Sequence, residues 1–141
     1  DVYKRQFMLL RTIGVPDGDV KSAGASGIVI LPGTDRSVEN LYQMLQRVLP
    51  TEYARFTDYA SVRDALTRHT PESLVEKSET PLVISLSTAT PLSTQLRFVQ
   101  AGGVALVPVT AATSLQQVRE LFAQLDQLEG VNALAVFLDR E

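Results

Sequence analysis

Three short clusters combine glycine, hydroxyl and charged residues at spacings that could do chemistry. The first is Pro32, Gly33, Thr34, Asp35, Arg36 and Ser37, directly after the apolar run GIVIL. If that run is a strand and a helix follows, free backbone N–H groups and the helix dipole favour an anion there. Gly33 permits close approach, Thr34 and Ser37 offer hydroxyls, and Arg36 is the nearby cation. Asp35 acts against a phosphate, and the same letters also suit a plain strand-to-helix turn capped by Asp35 or Ser37. Neither GxxxxGK[ST] nor GxGxxG is present. The second cluster is Ser87, Thr88, Ala89 and Thr90, before Pro91. Its hydroxyls suit a phosphate or a helix cap, but no base stands nearby in sequence to make a serine a nucleophile. The third, Thr110 to Ser114, is explained by a capping box of Ser114 with Gln117.

Other reactive side chains are sparse. His69 is the only histidine, with no acidic or cysteine partner at ligand spacing. Asp58, Asp64, Glu72, Glu76 and Glu79 form an acidic stretch, but Arg68 and Lys77 interleave, as on a solvated face. The chain has no cysteine, which removes disulfides, thiolate metal sites and a cysteine nucleophile. No metal site, cofactor or catalytic residue is implied. A net charge of -3 with scattered basic residues gives no electrostatic footprint for nucleic acid. No apolar run reaches the ~18 residues of a spanning helix, so neither membrane insertion nor a signal peptide is expected, and the composition fits the cytoplasm.

The elements that must position these clusters are legible as apolar runs. Residues 27–31, 82–86 and 104–109 are apolar almost throughout, as in strands buried on both faces of a parallel sheet. Residues 133–138 read as a further buried strand and 53–57 (YARFT) as a half-exposed or edge strand. Helices are predicted from about Val38 to Val48, from Ser61 with Val62, Ala65 and Leu66 inward, and from Thr70-Pro71 to about Lys77. Thr90-Pro91 repeats the cap-then-proline start, and Gly102-Gly103 supplies a left-handed stop. The last helix carries Leu115, Val118, Leu121, Phe122, Leu125 and Leu128 in one stripe before Gly130. Its burial would contribute on the order of 10 kcal/mol gross. Strand and helix alternate from Gly27 to Leu138, which predicts an α/β domain. Its sheet is mainly parallel, with about five strands flanked by helices, Rossmann-like or flavodoxin-like.

The N-terminal region divides differently. Residues 1–6, DVYKRQ, match the in-frame translation of a transposase sequencing adapter, so they are expected to be a scar on a metagenomic fragment. Residues 7–26 read as a strand and a loop, and residues 27–141 as one domain, truncated at both ends if the gene was cut.

Two stretches resemble known families. VILPGTDRSVENL resembles the ILPGT-helix segment of cobyric-acid-type glutamine amidotransferase domains. Activity there needs a cysteine nucleophile, which this chain lacks, so the resemblance implies at most a degenerate relative. PLVISLST, LRFVQAGG, VALVPV and SLQQVRELFAQL together resemble the last third of a response-regulator receiver domain. Receivers place a lysine where Val107 stands and a phosphoryl-accepting aspartate where Leu31-Pro32 stands, with Ser87 or Thr88 at the family's hydroxyl position. The resemblance therefore implies a degenerate pseudo-receiver. Such a domain would be a non-catalytic regulatory module that contacts other domains of its own protein or a protein partner.

Overall fold

The computed structural model describes residues 26–32, 35–49 and 54–138, and of Asp35, Arg36 and Ser37 the backbone alone. The expected scar at 1–6 and the strand and loop expected at 7–26, apart from Ser26, lie outside the described residues. The chain runs β1 (Gly27–Ile30), α1 (Asp35–Val48), β2 (Arg55–Asp58), α2 (Tyr59–Val62), a 3-10 turn (Ala65–Thr67), α3 (Pro71–Glu76) and β3 (Leu82–Ser85). It continues through α4 (Leu92–Gly102), β4 (Gly103–Val109), α5 (Leu115–Leu125) and β5 (Asn132–Phe137).

The five strands form one all-parallel sheet in the order β2-β3-β1-β4-β5. This is an α/β arrangement of the flavodoxin-like kind, with the first and third strands exchanged relative to the order 2-1-3-4-5. The two apolar runs at 82–86 and 104–109 are joined by a helix, as expected, but they are not neighbours. β1 lies between them, bonded to Leu82 on one side and Gly103 on the other at Gly27. Three uniformly apolar strands look alike in sequence, so composition could not say which takes the centre.

Alternate residues of the strands feed two cores. Ile28, Ile30, Val83, Val104 and Leu106 pack under Leu41, Leu45 and Leu49 of the α1 layer. Val29, Leu31, Leu82, Ile84, Ala105 and Val107 pack under Val75 of α3, Phe98 and Val99 of α4 and Leu125 of α5. So α1 covers one face and the later helices cover the other. Pro108 is tolerated inside β4 because the even-numbered residues of that strand bond toward β1, as Leu106 does to the Leu31 N–H. The ladder to β1 runs only to Ile30↔Leu106, so the missing proline N–H breaks no strand pairing.

Several boundaries differ from expectation for identifiable reasons. α1 begins at Asp35, three residues before Val38. The second helix starts at Tyr59, because Asp58 rather than Ser61 caps it, accepting from the Ser61 N–H at 2.8 Å. Pro91, not Thr90, takes the cap position of α4, since the Thr90 hydroxyl is used elsewhere. The left-handed stop stands as expected, with Gly103 at φ 94. α5 stops at Leu125, and of its stripe only Leu125 is buried. β5 is a half-exposed edge rather than a buried strand. No layer of the described chain lies beyond α5 and β5, so their outer flank is left partly uncovered.

Candidate functional site

The carboxyl ends of β1, β2 and β3 frame a crevice of about 300 Å3. Its position follows from the crossovers. The chain leaves β1 toward α1 on one face, and it leaves the neighbouring β3 toward α4 on the other. Loops that diverge to opposite faces open a gap between adjacent strands, the usual place for a ligand in such sheets. Pro32, Val38 and Glu39 line one wall, Asp58, Tyr59 and Arg63 a second, and Ser87 and Thr88 a third.

Most polar atoms here are already engaged by the turns that carry them. The Thr90 hydroxyl is buried and accepts from the Ser87 N–H at 3.1 Å. The Ser87 hydroxyl accepts from the Ala89 N–H at 3.2 Å. Gln95 donates to the Thr90 carbonyl at 2.9 Å, which ties this loop to the first turn of α4. Asp58 caps α2, and Glu39 accepts from Gln43 one turn on, at 2.9 Å. Beside the crevice, Tyr42 stacks on Phe56 with ring centroids 5.6 Å apart. Its own burial pushes the Tyr42 hydroxyl pKa up, and the Asp58 and Glu39 carboxylates push it further. The crevice lining thus carries the carboxylates Glu39 and Asp58 together with the exposed Arg63 guanidinium.

Of the residues expected to bind a ligand, Ser87 and Thr88 line the crevice. Gly33 and Thr34 lie outside the described residues, and Asp35, Arg36 and Ser37 form the first turn of α1. The third cluster closes on itself: the Thr110 N–H donates to Thr113 Oγ1 at 2.8 Å, and the Ala112 N–H to Thr110 Oγ1 at 3.2 Å. His69 sits apart on the surface, its Nδ1 3.2 Å from the Lys77 ammonium. Sequence reasoning missed Glu39, Asp58, Tyr59 and Arg63. The signal for Asp58 was present, since it ends a strand at the carboxyl edge, but it was read as part of the acidic surface stretch.

A second feature lies at the other side of the sheet. Leu115 of α5 is 66% exposed and Phe137 of β5 is 78% exposed. Val118, Leu121 and Phe122 are only partly covered. Leu115 and Phe137 belong to the last helix and to the edge strand, Val118, Leu121 and Phe122 pack toward the core under α5, and β5 carries no charged residue.

No protein-family model, curated protein or solved structure matches the chain. Among the described residues, no group of three or more histidine, aspartate or glutamate side chains could hold a metal ion. No described helix is long and apolar enough to cross a membrane.

Proposed function

We propose that this chain is a non-catalytic regulatory or interaction module of a larger protein, a degenerate receiver-like domain. It works in the cytoplasm through contact with other domains of that protein or with a protein partner, and without nucleic acid. The observation that carries this reading is the apolar flank of α5 and β5. Leu115 of α5 and Phe137 of β5 are large exposed apolar side chains, and β5 is an uncharged edge strand; exposed apolar surface and unprotected strand edges are features of interaction sites. The loops at the carboxyl edge agree with it, because their hydroxyls hold turns together and are not poised over a reacting atom. A photoreactive amino acid at Phe137 of the full-length protein tests the reading. Crosslinking well above that of an Ala112 control is expected. Equal, background-level yields at the two positions would refute it.

A second reading is favoured by the crevice. Here the domain is a fragment of a ligand-binding or enzyme α/β domain. An anion is held by Gly33, Thr34, Asp35, Arg36 and Ser37 at the start of α1, next to Ser87 and Thr88. Its support is the location of the crevice between β1 and β3. A thermal shift with phosphate or a nucleotide, lost in Arg36→Glu and in Gly33→Val, is the expected result. No ligand-dependent shift at millimolar concentration leaves the loop as a helix cap.

A further inference from the structure

Among the described residues β5 is bonded on one side only, to β4. Which of its backbone groups face outward follows from the register. The Leu138 N–H donates to the Val109 carbonyl at 2.9 Å. In a parallel strand the N–H and C=O of one residue point the same way and the direction alternates. Even-numbered residues of β5 therefore bond to β4, and Ala133, Ala135 and Phe137 present theirs at the open edge. Edge strands are normally protected by charge, proline or a bulge. NALAVF has neither a charged residue nor a proline.

The geometry points to a second copy of this chain as the occupant of that edge, with β5 pairing antiparallel to the β5 of a partner subunit about a two-fold axis through Ala135. The inference rests on the interaction reading above and names its partner. Opposed residues of an antiparallel pair lie on the same face of the sheet, so a symmetric register centres on a residue and not between two. Centred on Ala135, that residue meets its own copy, Ala133 meets Phe137, and Leu134 meets Val136. All three outward-facing residues then exchange N–H···O=C bonds.

The side chains fit the same register. Ala133 and Ala135 belong to the core on the α5 face, which puts Phe137 on that face too, while Leu134 and Val136 belong to the other. Phe137, 78% exposed, would lie over the partner's Ala133, large against small, and Leu134 over a valine, the kind of cross-strand pairing that stabilises sheets. A charged strand repels its own copy on self-pairing, and this one carries no charge. A two-fold axis normal to the sheet also brings the two α5 helices together on one face. Each of those helices carries Arg119 beside Glu120, both exposed. The interface is isologous, so it closes at two copies and leaves no further edge of this kind.

The test uses the whole 141-residue chain. Sedimentation equilibrium or light scattering across a concentration series is expected to give a dimer mass. Phe137→Lys and Ala135→Pro are each expected to give a monomer with an unchanged far-ultraviolet circular dichroism spectrum. Neither change disturbs a bond to β4, since both residues bond outward. Ala135→Cys adds a readout independent of stability. The Cα atoms of a directly opposed, bonded pair lie about 5.5 Å apart, within disulfide range. With no native cysteine, mild oxidation of this variant should yield a covalent dimer, and Ala112→Cys should not. A monomeric wild type at submillimolar concentration, or a dimer that survives both edge variants and gives no Ala135→Cys crosslink, overturns the proposal. If Phe137 of such a monomer still crosslinks to another domain or protein, the interaction reading stands without the dimer. If Phe137 crosslinks to nothing, both fall.

Discussion

Replacing Gly27 with alanine tests the packing at the centre of the sheet. Gly27 is buried and is flanked by β3 and β4. A Cβ built there would stand 2.7 Å from the Leu82 carbonyl oxygen and 3.6 Å from the Gly102 Cα. The first of these is backbone on the neighbouring strand, so no side chain can rotate away. Relief must come from separating β1 and β3 at their first rung, where the Leu82 N–H donates to the Ser26 carbonyl at 3.2 Å. Overpacking of this kind costs about 1–3 kcal/mol, and a weakened hydrogen bond adds up to about 1. Alanine returns about 0.4–1 kcal/mol by restricting the unfolded chain. The net expectation is a loss of about 2 kcal/mol, which at this chain length lowers Tm by roughly 5–10 °C. Urea denaturation followed by circular dichroism measures it, with m unchanged. A neutral or stabilising Gly27→Ala would refute the close approach of β1 to β3 at this rung.

Thr90→Val keeps the shape of a buried side chain but leaves the Ser87 N–H without its acceptor, so a loss of about 1–3 kcal/mol is expected by urea melts; a change below 0.5 kcal/mol, the scale of a surface site, would count against the turn as described. The Arg97 guanidinium, bonded to Glu72 at 2.9 and 2.8 Å, holds that carboxyl pKa below its ordinary 4.5. A depressed carboxylate contributes stability above its unfolded value and loses it as pH falls through the folded one. Arg97→Gln should therefore be less stable than wild type at pH 7, by the small amount typical of an exposed pair, and the gap should shrink as pH falls from 4.5 through the depressed pKa of Glu72; a gap that persists once Glu72 is protonated would mean that packing rather than charge was lost. Incubation with acetyl phosphate should leave the mass of the protein unchanged, and one added phosphoryl group on an aspartate would contradict the degenerate-receiver reading.

The fold was legible where local chemistry decides it. Buried parallel strands announce themselves as runs such as GIVI and LVIS, and Thr70-Pro71 and Gly102-Gly103 mark helix ends without tertiary help. Strand order was not legible, because β1, β3 and β4 are equally apolar. The exposure of β5 was hidden for a related reason: NALAVF reads as buried by composition, and only its place at the sheet edge leaves Phe137 uncovered. For the site, Ser87 and Thr88 were found because hydroxyls stand out at a strand end. Asp58 and Arg63 come from a separate segment, and only the sheet brings them opposite Ser87.

The position of β1 also sets the order in which this domain can assemble. β2, the next strand made, is not its neighbour. β1 is bonded only by β3 and β4, which follow much later in the chain. Among the described residues no strand pair forms within the segment from β1 to β2, so β1, α1 and β2 have no ladder of their own to close early. Loop closure over such spans precedes any gain from pairing and slows folding. A ribosome that has released the chain only as far as β2 therefore exposes β1 without a partner strand; the sheet can first lock when β3 inserts between β1 and β2, and β1 is enclosed on both sides only after α4 and β4 follow.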